Sequence, residues 1–506
     1  MMATNTLEEL VYILKIGYAF CALVLFLYGL STLSLSLIYL FNRKKIQNVR
    51  TPEPPAEWPR VTVQLPIYNE RNVVERLLSA VTRFNYPANR LQIQVLDDST
   101  DGFTSELLQK LIGKYQQTGI NIQYLHRKDR RGYKAGNLAS GMTHASGEFI
   151  AIFDADFIPG ADWLKQVVPV FQDASVGFVQ TRWVHMNFNS SFLAKMVSLA
   201  MDGHFVVEQG ARSFAGLMMG FNGSAGMWRR ATIEQAGGWQ WDTLAEDLDL
   251  SYRAQMLGFR AVYLPHVTAL CEAPETMNAF MIQQFRWAKG SVQVLRKLAG
   301  RLWWRTRLPL GKRIMGLVHM SMYLPFPFML MLLLLAFPLG IFASSFFVYF
   351  PWTGLVTIGP PLMYALAKTE NMPRLRDRLL LIPPLVLMGV GITVNCTVGV
   401  ISGLLFKGGT FQVTPKSSTQ NSREIVKKTS LAPTLGTTGE LAMCVYLLSA
   451  TYAISPTMGF TMAPWFLSSA AGFLFVFALS ITRRRQNKPQ AESDFKKIRN
   501  FIEKLF

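Results

Sequence analysis

Close carboxylate pairs in the middle of this chain include Asp97-Asp98, Asp154-Ala155-Asp156 and Glu246-Asp247. Two acids at i and i+2 repel each other, and burial raises the cost of keeping both ionised. Such a pair binds a metal, shares a proton or stays solvated in a turn. Asp154-Ala155-Asp156 directly follows residues 149–153, FIAIF, which have β character, so both acids sit at the carboxyl end of a buried strand. Taken alone, the triplet reads first as a solvated Asx-type turn closing the strand. Asp97-Asp98 ends a second strand-like run, LQIQV, and can hold a base, a ribose or a metal, although acidic strand ends are also ordinary turns. Lys134-Ala135-Gly136-Asn137 opens a helix and joins an ammonium to a helix N-terminus, a combination suited to a diphosphate; a solvated Lys ahead of a helix is equally ordinary. Asp247 is the candidate general base. With Glu246 and Asp249 it also occupies a helix's first turn, where acids are favoured for capping.

Residues 275–298 predict an amphipathic helix. Gln283, Arg286 and Trp287 share one face at i, i+3 and i+4, while Met281, Phe285, Ala288 and Val292 form another. An indole stacks on the apolar face of a sugar ring and a guanidinium pairs with a diphosphate. An interfacial helix with a snorkelling Arg explains the amphipathicity but not the paired Gln283-Gln284.

The elements that must position these groups alternate. Strands at 61–70, 91–99, 121–127 and 149–153 are separated by helices at 72–83, 105–117 and 135–145. This pattern predicts a mostly parallel sheet covered on both faces, with residues 66–70, 97–98 and 154–156 converging beyond the strands' carboxyl ends. Residues 188–219, rich in Met and Phe, predict an amphipathic helix resting on the membrane. A Gly-rich turn at 220–226, GFNGSAG, follows.

Half of the 506 residues are hydrophobic and only 16% are charged, with the apolar residues concentrated at the two ends, which predicts a membrane protein with a soluble middle. The net charge of +19 does not point to nucleic acid. No nucleic-acid module is recognisable, and the basic residues flank apolar spans. No acidic residue lies between Glu275 and Glu370, whereas Lys289, Arg296, Lys297, Arg301, Arg305, Arg307, Lys312 and Arg313 do, so this segment is expected against the cytoplasmic leaflet. The four cysteines have neither disulfide nor metal-ligand spacing and read as reduced packing residues. Residues 10–41 read as a retained transmembrane helix, with Arg43, Lys44 and Lys45 on the cytoplasmic side. The expected division is a transmembrane helix at 1–45, a linker at 46–60, a cytoplasmic catalytic domain at 61–275 and an interface helix at 276–313. Transmembrane helices at 314–406, a loop at 407–440, further transmembrane helices at 441–482 and a cytoplasmic tail at 483–506 complete it. About six spans are expected, and basic loops on both sides of 379–406 leave the topology of that stretch open.

Taken in order, Asp97-Asp98, Asp154-Ala155-Asp156, Glu246-Asp247 and Gln283-Gln284-Phe285-Arg286-Trp287 resemble the D, D-x-D, (T/A)-E-D and Q-x-x-R-W set of processive family-2 glycosyltransferases. Cellulose, mannan and hyaluronan synthases belong to that group. Residues 411–416, FQVTPK, are similar to the gating loop of bacterial cellulose synthases. GFNGSAG, Tyr133-Lys134-Ala135-Gly136 and Gln180-Thr181-Arg182-Trp183 resemble the cellulose-synthase-like mannan and glucan synthases. The resemblance implies a cytoplasmic GT-A-like, Rossmann-like α/β domain embedded in a multi-pass helical membrane domain of the plasma (inner) membrane. It implies a nucleotide-sugar donor, UDP-glucose favoured over GDP-mannose, with Mg²⁺ or Mn²⁺, a growing polysaccharide acceptor and passage of the product through the membrane.

Carried over residue by residue, it implies that Tyr68, Glu70 and Asp97 contact the nucleoside and Lys134 the diphosphate. Asp154 and Asp156 would hold nucleotide and metal, and Asp247 would be the base. Gln283 and Arg286 would hold the diphosphate, Trp287, Asn222 and Glu246 the acceptor, and Phe411, Val413, Thr414 and Lys416 would close over the donor. Ala245 stands where many members have Thr. Transfer to a lipid acceptor by the same residues, and a non-catalytic scaffold, are the alternative readings.

Overall fold

The computed structural model describes residues 2–349, 357–409 and 431–482. Eight strands form one sheet: β1 Val61–Ile67, β2 Leu91–Asp97, β3 Ile122–His126, β4 Phe149–Ile152, β5 Ile158–Pro159, β6 Val176–His185, β7 Gly226–Arg229 and β8 Arg260–Cys271. Their order is β3-β2-β1-β4-β7-β6-β8-β5. The first four are parallel, as the alternating pattern predicts. The sheet is mixed but mostly parallel, as expected: β6 and β8 share the sense of the first four, whereas β7 runs antiparallel to both β4 and β6 and β5 antiparallel to β8. Four-residue β7 enters the sheet between β4 and β6 from the 220–226 turn.

β1 is buried along its whole length because helices cover both faces. Its apolar residues Val61, Val63 and Leu65 join one core, while Thr62 and Gln64 on the other face start a polar ladder. Thr62 donates to Gln92 Oε1 at 2.7 Å, Gln64 to Gln94 Oε1 at 3.1 Å, and Gln92 to Gln123 Oε1 at 3.1 Å. These cross-strand pairs fix the register of β1, β2 and β3 and hence the level at which each strand ends. The expected convergence follows: Asp98 N–H donates to Ile67 O and Phe153 N–H to Gln64 O.

Among the described residues, three helices are long and apolar enough to cross a membrane: Thr6–Gln47, Pro325–Phe342 and Ala463–Ile481. A fourth span is counted if Leu375–Gly391 and Thr393–Leu405, bent by 47°, act as one. The expected number of about six concerns the whole chain, part of which lies outside the described residues. Residues 344–367 supply only a short 3₁₀ stretch and the eight-residue helix Gly359–Leu366 among their described residues. The bend also bears on the open topology of 379–406, because each arm is shorter than the roughly 20 residues a crossing needs. The expected interface segment 276–313 is a 28-residue helix, Met277–Trp304, followed by a separate helix, Leu310–Met320, that begins within it. All four cysteines are buried and free, as their spacing predicts.

Helix Thr393–Leu405 lies along Met277–Trp304 at very short range. A Cβ at Gly399 would stand 2.9 Å from Phe285 O, and one at Gly403 2.6 Å from Lys289 O. Small residues four apart allow this approach, and it locks the Gln283–Trp287 turn to the helical bundle. Replacing Gly399 with Leu is expected to destabilise the fold by about 1–3 kcal/mol. Thermal unfolding in detergent measures this as a lowered Tm.

Candidate active site

The Gly-rich turn 220–226 holds the ends of the neighbouring strands together. Asp154 N–H donates to Ser224 Oγ at 2.9 Å, Ala225 N–H donates to Ile152 O, and Trp183 Nε1 donates to Ser224 O at 3.1 Å. Asn69, Tyr133 and Ala225 are the described non-glycine residues with positive φ, and all three flank this region. Backbone in that conformation costs energy that the surrounding contacts must offset.

Asp154, Lys134, Glu246, Asp247 and Arg286 come together beyond the carboxyl ends of β1 and β4. Lys134 Nζ is 2.6 Å from Asp154 Oδ1 and donates to Gly223 O at 2.9 Å. A Cβ on Gly223, whose φ is +82°, would lie 2.9 Å from Asp247 Oδ2 and 3.4 Å from Lys134 Nζ, so only glycine fits between acid and ammonium. Asp247 Oδ1 accepts from Leu248 N at 2.8 Å. Burial opposes charge on Lys134, but Asp154, then Glu246 and Asp247, hold its pKa above the ordinary value. Burial lifts Glu246 to about 7, with Asp247's charge adding to it, and lifts Asp247 against the pull of Lys134. Arg286 is lowered by burial while Glu246, Asp154, Asp247 and Glu70 counter it, which places all four acids in its field.

Helix Met277–Trp304 delivers Arg286 as its spacing predicts. Thr276 caps it by accepting from Ala279 N, and Met281, Ala288 and Val292 sink into an apolar cluster against which Trp287 packs. Gln283 is half-buried; its neighbour Gln284 instead accepts from Tyr323 Oη at 2.9 Å. Gln293 binds the acidic turn to the membrane helices, accepting from Leu244 N and donating to Phe406 O and Gly408 O. A shallow hollow lined by Lys134, Trp241 and Glu246 reaches Gly409, the last described residue before 410.

Other expected residues stand differently. Asp97 is fully buried and accepts from Ser105 Oγ, Tyr124 Oη and Ser99 N. These bonds outweigh burial and lower its pKa, so it braces the strand end rather than facing a cleft. Asp98 is held by Arg127 at 2.5 and 2.8 Å. The Arg130 guanidinium lies 3.2 Å from the centroid of the Tyr68 ring, and Glu70 precedes helix Arg71–Val81. Asn222 donates to His204 Nε2 and accepts from Gln209. Phe411, Val413, Thr414 and Lys416 lie outside the described residues.

For a divalent metal, the carboxylates of Asp154 and Asp156 are of the hard-oxygen type that Mg²⁺ and Mn²⁺ take. The side chain of Asp154 is 33% exposed, whereas Asp156 is 3% exposed and accepts from Glu272 N at 3.4 Å. Among the described residues no group of three or more His, Cys, Asp or Glu forms a cage. Two carboxylates suffice for an ion that completes its shell with substrate phosphate and water, so the residues fit such a group.

The family described as "Glycosyltransferase like family 2" matches residues 59–290, the span that contains Lys134, Asp154, Asp156, Glu246, Asp247 and Arg286. Residues 59–290 are a family-2 glycosyltransferase domain. The chain is 44% identical over 247 residues to the probable glucomannan 4-beta-mannosyltransferase 6 of Oryza sativa subsp. japonica, covering 48% of this chain and 43% of that protein. It is 36% identical over 320 residues to the probable glucomannan 4-beta-mannosyltransferase 10 of Arabidopsis thaliana, covering 60% and 58%. The chain thus spans about half the length of the curated relatives it matches. Among solved structures, the mannosyltransferase PcManGT from Pyrobaculum calidifontis in complex with GDP-Man and Mn2+ aligns with a TM-score of 0.51 and 22% identity, covering 78% of this chain and 99% of that one. That likeness shows the GT-A-like fold of the glycosyltransferase domain.

His204, Glu208 and Arg212 belong to none of the acidic motifs. Their i, i+4, i+8 spacing was the available signal, and the glycosyltransferase domain places them behind Asn222.

Proposed function

We propose that the chain is a membrane-bound, metal-dependent hexosyltransferase that moves mannose from GDP-mannose onto a growing β-linked mannan or glucomannan, inverting the anomeric carbon. The observation that carries this reading is the meeting of Lys134, Asp154, Glu246, Asp247 and Arg286 at one strand end. Relatives named as probable glucomannan 4-beta-mannosyltransferases and the neighbour bound to GDP-Man support this donor; UDP-glucose, favoured above, has no such support.

Tyr68, with Arg130 over its ring, and Glu70 border the place for the nucleoside. Lys134, Arg286 and Gln283 face the diphosphate. A divalent ion held by Asp154 and Asp156 would supply charge neutralisation for the leaving group. Asp247 takes the proton from the acceptor hydroxyl as it attacks in line. Trp287 offers its indole to the acceptor's terminal sugar where the domain meets the bundle. That position supports passage of the product between the helices, which sealed proteoliposomes test by protection of product from external mannanase.

Purified full-length protein supplied with labelled GDP-mannose or UDP-glucose, with and without Mn²⁺, tests the donor. Polymer from GDP-mannose alone is expected, and label from neither donor rejects the reading.

The raised acids also predict the pH profile. Below about pH 7 Glu246 is protonated and the pair shares its remaining charge, so the base is lost as pH falls. Burial raises Asp247, so the acid limb of kcat should lie above the ordinary carboxylate range. Glu246 is already neutral where Asp247 loses its charge, so Glu246→Gln should leave that limb in place; a limb that moves contradicts this assignment.

A further inference from the structure

Residues Gly203–Gln209 form a π-helical stretch continuous with α-helix on both sides, a distortion that recurs at functional sites. It presents His204 and Glu208, with Arg212 one turn further, toward the 220–226 turn.

The direction of the hydrogen bonds here follows from one backbone carbonyl. Gly220 O can only accept, so the Gln209 atom facing it at 3.2 Å is the amide nitrogen. The same nitrogen donates to Asn222 Oδ1 at 2.8 Å, which leaves Asn222 Nδ2 facing His204 Nε2 at 2.9 Å. Nε2 therefore accepts, and the imidazole proton sits on Nδ1, where Glu208 Oε2 accepts it at 2.9 Å. Glu208 Oε1 in turn accepts from Arg212 Nε at 2.9 Å, and the Arg212 side chain is only 2% exposed. Asn222's own backbone N–H donates to Gln180 Oε1 at 2.9 Å. Both the side chain and the backbone of Asn222 are thus fixed one residue before Gly223, which separates Lys134 from Asp247.

We infer that His204, oriented by Glu208 and Arg212, is a positioning residue that holds Asn222 so that its second Nδ2 hydrogen meets a hydroxyl of the acceptor sugar. The inference rests on the proposed glycosyl transfer and deepens it by assigning acceptor recognition to a relay outside the acidic motifs. Among the described residues, no second acceptor meets Asn222 Nδ2. Asn222 is half-buried at the edge of the cluster, within reach of a ligand yet held from behind.

The test uses full-length wild type, His204→Ala and His204→Gln in lipid nanodiscs, with manno-oligosaccharide as acceptor. His204→Ala should raise the acceptor KM about tenfold, the scale of one buried hydrogen bond, and leave the Kd for GDP with Mn²⁺ unchanged. A Gln at 204 can donate to Glu208 and accept from Asn222, so it should restore most of the acceptor affinity. Equal losses for GDP and acceptor, an unchanged acceptor KM, or an Ala-like Gln variant would overturn the inference. A wild type that turns over no GDP-mannose refutes the functional reading instead. The relay is then decided by ¹⁵N spectra of histidine-labelled protein. They should show His204 as the Nδ1–H tautomer held by Glu208, and an Nε2–H tautomer refutes it.

Discussion

Asp247→Asn is expected to bind GDP as tightly as wild type and to lose about 10²–10⁴ of its turnover, the usual contribution of a positioned general base. Asn has the shape of Asp and can still accept from Leu248 N through its Oδ1, so the helix start and the fit against Gly223 survive. What it cannot do is take a proton. Isothermal titration with GDP and Mn²⁺, set beside product formation, separates the two effects. Near-normal turnover would remove Asp247 from the chemistry, and a lost GDP affinity would make it a binding residue.

Asp154→Ala carries the second large effect. Asp154 is the more open of the two carboxylates and the ion-pair partner of Lys134. Its removal takes away both a metal-facing oxygen and the counter-charge that keeps the ammonium in place. Metal-dependent GDP binding should fall by about 10–100-fold, and the Mn²⁺ concentration for half-maximal binding should rise. Asp156→Ala should weaken GDP binding as well as turnover, although Asp156 is almost completely buried. Unchanged GDP affinity in that variant would leave Asp154 alone with the ion.

Strand positions were legible because their signals are local. Alternation in VTVQL and LQIQV marked β1 and β2, and acidic runs marked where strands end. The Arg286 face was legible for the same reason, since 3.6-residue spacing decides which side chains share a side. The sense of β7 was not, because it depends on where the 220–226 turn lies in three dimensions. Nor was the burial of Asp97, whose partners Ser105 and Tyr124 come from two other elements. The breaks within the membrane region were less legible for a physical reason. Hydropathy registers apolar length, whereas Pro and Gly break that length into pieces such as Gly359–Leu366 and the bent pair Leu375–Gly391 and Thr393–Leu405. The His204 relay combines the two situations, with a spacing visible in the chain and a target, Asn222, eighteen residues on that only the fold brings near.

The most direct measurement of the central claim is enzymatic digestion of the labelled product formed from GDP-mannose by the purified chain. Release of manno-oligosaccharides by an endo-β-1,4-mannanase, with no such product from Asp247→Asn, is the predicted result. Label that resists the mannanase and extracts into chloroform would contradict a polymer product and point to a lipid acceptor.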